Sequence, residues 1–309
     1  MRLGDYRSSD NVGDQRGESF GGGGFGGGGG MFGLLFGLVL SRFGIGGALI
    51  LLLGYCALST LGGGGDSLGV GGPGTAVAPH QASRTGGTAA EACAVDPESR
   101  FSCQVLANTE DTWAAIFAKR GERYAPAGFI FYGGRGQSGC GAAQTAMGPF
   151  YCPSDNRIYL DTAFYQELRS RFGAAGDFAQ AYVIAHEVGH HIQYLTGALE
   201  RAQAAQQRLS SAEGNALQVK VELQADCYAG VWGANARDRQ GRPLLESGDV
   251  EEGLTAAAAI GDDTLQRQTQ GVVVPESFTH GSAAQRTLWL RKGLETGDPA
   301  QCDTFGGAI

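Results

Sequence analysis

Three of the five histidines in this 309-residue chain fall within AHEVGHH, residues 185 to 191. His186, Glu187 and His190 make an H-E-x-x-H pattern. On a helix the two histidines lie one turn apart on one face, so both imidazoles can reach a single cation. Glu187 is offset by about 100°, at the edge of that face, where a carboxylate can meet a water held by the ion. The chemistry that suits this set is zinc-assisted hydrolysis with Glu187 as general base. Two histidines do not complete it: a catalytic zinc takes three protein ligands and keeps one position open.

The segment VELQADCYAGVW, 221 to 232, carries Glu222 and, four residues on, Asp226, again one turn apart on one face. On a solvated face an acidic pair at that spacing repels mildly. Val221, Leu223, Ala225 and Tyr228 around it indicate burial, and buried acids need partners. Glu-x-x-x-Asp downstream of H-E-x-x-H resembles the arrangement of thermolysin-like zincins. That resemblance implies Glu222 as third ligand of a Zn2+ ion and Asp226 as acceptor for the ring N–H of His186, fixing its tautomer.

Stepping outward, the helices that must carry these residues are legible from periodicity. Helical spacing and end signals predict helices over 109–122, 162–172, 178–196, 198–209 and 213–236, with two more near 248–270 and 282–294. Asp177 is the expected cap of the H-E-x-x-H helix and Gly197 its terminator. Short aromatic and β-branched runs at 128–132, 147–152 and 157–161 read as strands, the last two joined as a hairpin through PSDN. Strands first and helices second is an α+β order.

The N-terminal part is different in kind. About half of the 53 glycines lie in the first 74 residues. Residues 1–30 offer almost nothing to bury and read as a disordered glycine-rich tail. Residues 31–61 are apolar, with a 19-residue uncharged stretch at the end, and read as a single transmembrane anchor. Residues 62–92 read as a flexible tether, and 93–309 as the metallopeptidase domain. Arg42 directly precedes that uncharged stretch, so the positive-inside rule puts the tail in the cytoplasm and the domain outside, periplasmic or extracellular. Net charge is −8, with 23 basic against 31 acidic residues, which leaves no basic field for nucleic acid. Six of the seven cysteines lie beyond the anchor, an even number suited to an oxidising compartment. Shortest loops plus the remainder pair Cys93 with Cys103, Cys140 with Cys152 and Cys227 with Cys302.

HEVGHHIQ, ELQADCYAGVW, FTHGSAAQR (278 to 286), PFYCPSDNRIYLD and SDNV near the N-terminus together resemble the bacterial neutral zinc metallopeptidase family, the YpfJ-type membrane-anchored zincins. The resemblance covers residues 93 to 305 and also the layout of a short tail, glycine tract and anchor. Gly13 and Gln15 depart from the family pattern, where an acidic and a basic residue are expected. The resemblance implies a zincin-like domain, a small mostly antiparallel sheet packed on the H-E-x-x-H helix, with a helical C-terminal half carrying Glu222. It also implies a peptide or protein substrate, bound against the edge strand at 147–152. By analogy of role, His280 is a candidate second catalytic residue, donating to the oxyanion of the attacked carbonyl. Arg286 reads as a salt-bridge residue, and His191, turned about 100° from His190, as a neighbour that packs rather than ligates. The rival reading is a membrane-tethered zinc-binding module without turnover that docks envelope proteins. Glu187 argues against it, because a structural zinc has no use for a general base.

Overall fold

The computed structural model describes residues 1–18 and 87–307. Its strands are β1 (Val12–Asp14), β2 (Gly128–Phe131), β3 (Arg135–Ser138), β4 (Gly141–Gln144), β5 (Phe150–Cys152) and β6 (Arg157–Leu160). Its helices are α1 (Ala89–Cys93), α2 (Pro97–Ala118), α3 (Ala163–Ser170), α4 (Asp177–Leu195), α5 (Ala198–Gln206), α6 (Ser211–Asn235), α7 (Asp249–Ala259), α8 (Asp262–Gln270) and α9 (Ala283–Thr296). The architecture is mixed α+β, with a small sheet and a helical C-terminal half.

The main sheet has the order β1-β2-β6-β5. The expectation of a mostly antiparallel sheet is corrected: β1 runs parallel to β2 and β2 parallel to β6, and only β5 is antiparallel, on β6. The reason lies in the connection between β2 and β6. It contains the antiparallel β3–β4 hairpin as well as β5, so the chain crosses over before β6 and re-enters the sheet in the same direction as β2. Alternate residues of β2 and β6 serve two faces. Phe129, Phe131, Ile158 and Leu160 join the main core with Trp113, Tyr165, Phe178 and Trp232. Ile130, Tyr132 and Tyr159 pack on the other side with Ala143 of β4 and Cys152. Burial on both faces explains runs such as GFIF that lack polar alternation.

Helix boundaries follow local chemistry. Asp96 caps α2, its side chain accepting from Ser99 N at 2.6 Å with Pro97 in the first turn. Thr109, where the 109–122 helix was expected to begin, is mid-helix, its hydroxyl bonded back to the Leu106 carbonyl. The 248–270 helix divides at Ile260 and Gly261 into α7 and α8. Ser210 and Glu213 form a capping box at the start of α6, as Ser282 and Gln285 do for α9. Asp177 is the first helical residue of α4, with Gly176 at the cap position. The carboxylate of Glu252 on α7 accepts the Phe178 N–H at 3.1 Å, satisfying an N-terminal donor that no local side chain reaches.

Close backbone approach brings α4, α6 and α9 together. A Cβ on Gly189 would stand 2.8 Å from the Ala225 carbonyl oxygen, so only glycine fits where α4 meets α6. Where α6 meets α9, a Cβ on Gly230 would lie 2.2 Å from the Leu290 oxygen and one on Gly293 2.0 Å from the Cys227 oxygen. The disulfides are Cys93–Cys103, Cys140–Cys152 and Cys227–Cys302, the pairing expected from loop length.

The N-terminal residues overturn their reading. Residues 1–18, expected to begin a disordered tail, are built into the domain: β1 pairs with β2 in the register Val12↔Phe129, Gly13↔Ile130 and Asp14↔Phe131. Arg16 bonds Ser99 Oγ at 2.6 Å and the Ala92 carbonyl at 2.9 Å, with its guanidinium 4.6 Å from the centre of the Phe131 ring. Gln15, one of the two departures from the family pattern, exchanges both amide bonds with the backbone of Gln137 at 2.9 Å. The low hydrophobicity of this segment hides the ordering, because main-chain pairing and charged anchors supply it. The far end of the expected tether is also structured: Thr88 caps α1, which begins at Ala89. The expected anchor at 31–61 lies outside the described residues. Among the described residues, no helix is long and apolar enough to cross a membrane.

Candidate active site

Helix α4 carries His186, Glu187 and His190, and α6 carries Glu222 and Asp226; the contact at Gly189 presses the two segments face to face. Glu222 Oε2 stands 3.2 Å from His186 Nε2 and 3.4 Å from His190 Nε2. Four-coordinate zinc with bonds of about 2.0–2.1 Å separates its ligands by roughly 3.3–3.4 Å. The donor atoms of His186, His190 and Glu222 all lie within 4.8 Å of one another, so the residues present fit a zinc ion.

Each of the three has a partner that aims it. His186 Nδ1 donates to Asp226 Oδ1 at 2.8 Å, which points Nε2 at Glu222. His190 Nδ1 donates to Gln193 Oε1 at 2.9 Å with the same effect. Gln193 is itself held, its amide donating to the Val221 carbonyl at 2.7 Å and to Gln224 Oε1 at 3.1 Å. Gln218 donates to Glu222 Oε1 at 2.8 Å, turning Oε2 toward the imidazoles.

Asp226 is fully buried and both of its oxygens are paired. Beside the His186 bond it accepts from the Tyr182 hydroxyl at 2.6 Å and from Arg286 Nε and Nη2, both at 2.9 Å. Arg286, 2% exposed, also donates to the Tyr182 oxygen at 3.0 Å. The salt-bridge reading of Arg286 from sequence therefore matches its geometry. Sequence reasoning missed Tyr182 and Gln193. Both were within reach: Tyr182, His186 and His190 are spaced by four on one face of α4, and Gln193 follows His190 by three.

Electrostatics follow from this packing. Burial alone would push the Asp226 carboxyl up, but Arg286 and His186 overcome it and hold it down at about 2. Burial would lower His186, yet the Asp226 carboxylate raises it to about 10. His190 is raised against burial by Glu222, and Glu222 is held well below the usual carboxylate range, against burial, by the imidazoles. Glu222 and Asp226 thus stay ionised beside the two imidazoles, which favours positive charge between them. Glu187 is raised by its burial, which makes it a stronger base than a solvated carboxylate.

His280 is the outlying candidate. It sits in the turn before α9, held by Asp262, whose Oδ2 accepts the backbone N–H of Thr279, His280 and Gly281 at 2.7, 2.6 and 3.1 Å. Its Nδ1 lies 3.0 Å from Thr279 Oγ1 and 3.3 Å from Asp262 Oδ1. It is near enough to Glu222 for that charge to help raise its pKa, against burial and behind the bond to Asp262. His191 is turned away from the cluster: Nε2 meets the Ala125 carbonyl at 2.7 Å and Nδ1 the Tyr151 hydroxyl at 3.1 Å. It ties α4 to β5, the edge strand expected beside the site.

Fold and site thus define an α+β domain with a buried two-histidine, one-carboxylate centre and a second carboxylate beside it. The chain matches the family described as "Putative neutral zinc metallopeptidase" over residues 1–305, and it belongs to that family. It is similar to "Uncharacterized protein YpfJ" of Escherichia coli K12, 53% identical over 214 residues, 69% of this chain and 74% of that one. It is also similar to "Uncharacterized protein Rv2575" of Mycobacterium tuberculosis H37Rv, 46% identical over 219 residues, 68% of this chain and 73% of that one. No solved structure matches it significantly.

Proposed function

We propose that this protein is a zinc-dependent peptide hydrolase, attached to a membrane through residues 31–61 with its domain outside the cytoplasm. The reading rests on one observation above the others: a single oxygen of Glu222 faces Nε2 of both His186 and His190, with Glu187 buried alongside. Zinc, when bound by these three side chains, supplies Lewis acidity to the site. Glu187 takes a proton from the attacking water and hands it to the leaving amine, a role its desolvated carboxylate suits. His280 donates a hydrogen bond to the oxyanion that develops on the attacked carbonyl. Asp226, fixed by Arg286 and Tyr182, holds the His186 ring in its tautomer and orientation. β5 lies at the edge of the sheet, where an extended peptide adds as a further strand. The three disulfides support the placement outside the cytoplasm.

The test is a peptide-library digest by the purified full chain loaded with zinc, beside Glu187→Gln. Cleavage by the parent and none by the variant is expected. A variant as active as the parent contradicts the mechanism, and a zinc-loaded parent that cleaves nothing favours the docking-module reading.

A further inference from the structure

The anchors of residues 1–18 are spread over the domain. Main-chain bonds run from Phe129 N to the Asn11 carbonyl at 2.8 Å and from Gln15 N to the Phe131 carbonyl at 2.7 Å. Ser9 Oγ and Asn11 Nδ2 both donate to the buried carboxylate of Glu110 on α2, at 2.5 and 2.8 Å. Arg7 reaches Glu110 at 3.0 Å and Asp111 at 2.6 Å. The ammonium group of Met1 lies 2.8 Å from Asp177, the first residue of the helix that carries His186, Glu187 and His190. Leu3 adds an apolar contact, 5% exposed in the main core. A parallel β1 on β2 also shields what would otherwise be an open sheet edge.

We infer that residues 1–18 and the domain at 87–307 lie on the same face of any membrane the protein contacts. Hydrogen bonds and ion pairs at these distances cannot be made through a hydrocarbon core of about 30 Å. Borrowing the segment from a second copy inserted in the same orientation does not relax the constraint, because that copy's segment would be on the wrong side as well. The two segments therefore share one side, whatever path residues 19–86 take between them. This replaces the orientation that Arg42 suggests, with the N-terminus opposite the domain; one flanking arginine is a weaker determinant than the full set of contacts made by β1 and its neighbours. The inference does not depend on the hydrolytic reading.

The experiment uses the full chain with Cys56→Ser, carrying either Asp10→Cys in the N-terminal segment or Val272→Cys in the domain, both positions being exposed. Intact cells are treated with a membrane-impermeant maleimide, and labelling after detergent gives the total. Equal reactivity at the two positions, both labelled or both protected before detergent, is the expected result. Labelling of one position in intact cells and of the other only after detergent overturns the inference, whether or not the protein cleaves peptides.

Discussion

His186 Nδ1 and Asp226 Oδ1 are joined at 2.8 Å across the contact of α4 and α6. That bond turns Nε2 of His186 toward Glu222, and it depends on a carboxylate that Arg286 and Tyr182 hold from behind. The position of one ligand is thus set by three helices, α4, α6 and α9.

Asp226→Ala should weaken zinc binding by about 10- to 100-fold, the usual cost of losing such a partner. Arg286→Met should lower stability by about 3–5 kcal/mol, because it leaves the buried Asp226 charge without its main partner. Competition titration against a fluorescent chelator and thermal melts read the two effects separately. Unchanged zinc affinity in Asp226→Ala would contradict the role given to that carboxylate.

Gly189→Ala should cost about 1–3 kcal/mol through overpacking against Ala225 and also weaken zinc binding, because it drives apart the helices that bear the ligands. Gly214→Ala is the control on α6: nothing lies within 4 Å of its added Cβ. There the substitution should stabilise by up to about 1 kcal/mol through helix propensity alone.

Removing Cys227–Cys302 by a double alanine substitution should lower stability by about 4 kcal/mol on the loop-entropy argument, against about 3 for Cys93–Cys103. The first bridge spans 75 residues and the second 10. Loss of the longer bridge also frees the Cys302 carbonyl that accepts from Gln224 at 2.9 Å, three hydrogen bonds behind His190. Melts under reducing and non-reducing conditions check the order.

The His280 and Asp262 pair predicts a pH profile. His280 is raised from 6.5, against burial, by Asp262 and Glu222, so its contribution is full below pH 6.5 and fades as pH rises through its higher folded value. Asp262 is lowered from 3.8, against burial, by His280 and backbone donors, so its contribution is present above 3.8 and is lost as pH falls through its lower folded value. Stability from the pair should be greatest between 3.8 and 6.5, and Asp262→Asn should flatten that part of the melting profile relative to the parent.

The candidate site was legible where helical spacing carries the information. Two histidines and two acids, each pair at an interval of four, put each pair on one face of its own helix; that the two faces meet was implied by the resemblance. The same arithmetic extends to Tyr182. Gly189 was legible only as a helix-interior glycine, and its purpose appears when Ala225 is seen against it. The sheet was harder. β1 is three residues, VGD, without apolar alternation, paired across a long stretch of sequence. β3 and β4, RGQS and GAAQ, lack β-branched or aromatic residues and are held by their pairing with each other. With those three strands unread, the parallel relation of β2 and β6 was not visible, and the three remaining strands suggested an antiparallel sheet.

The most direct measurement of the central claim is the zinc content of the purified full chain and of two variants by elemental analysis. One zinc per chain is predicted for the parent and for Glu187→Gln, with loss in Glu222→Ala, because Glu222 is assigned to the metal and Glu187 to the proton. A Glu222→Ala protein that binds zinc as tightly as the parent would contradict the account.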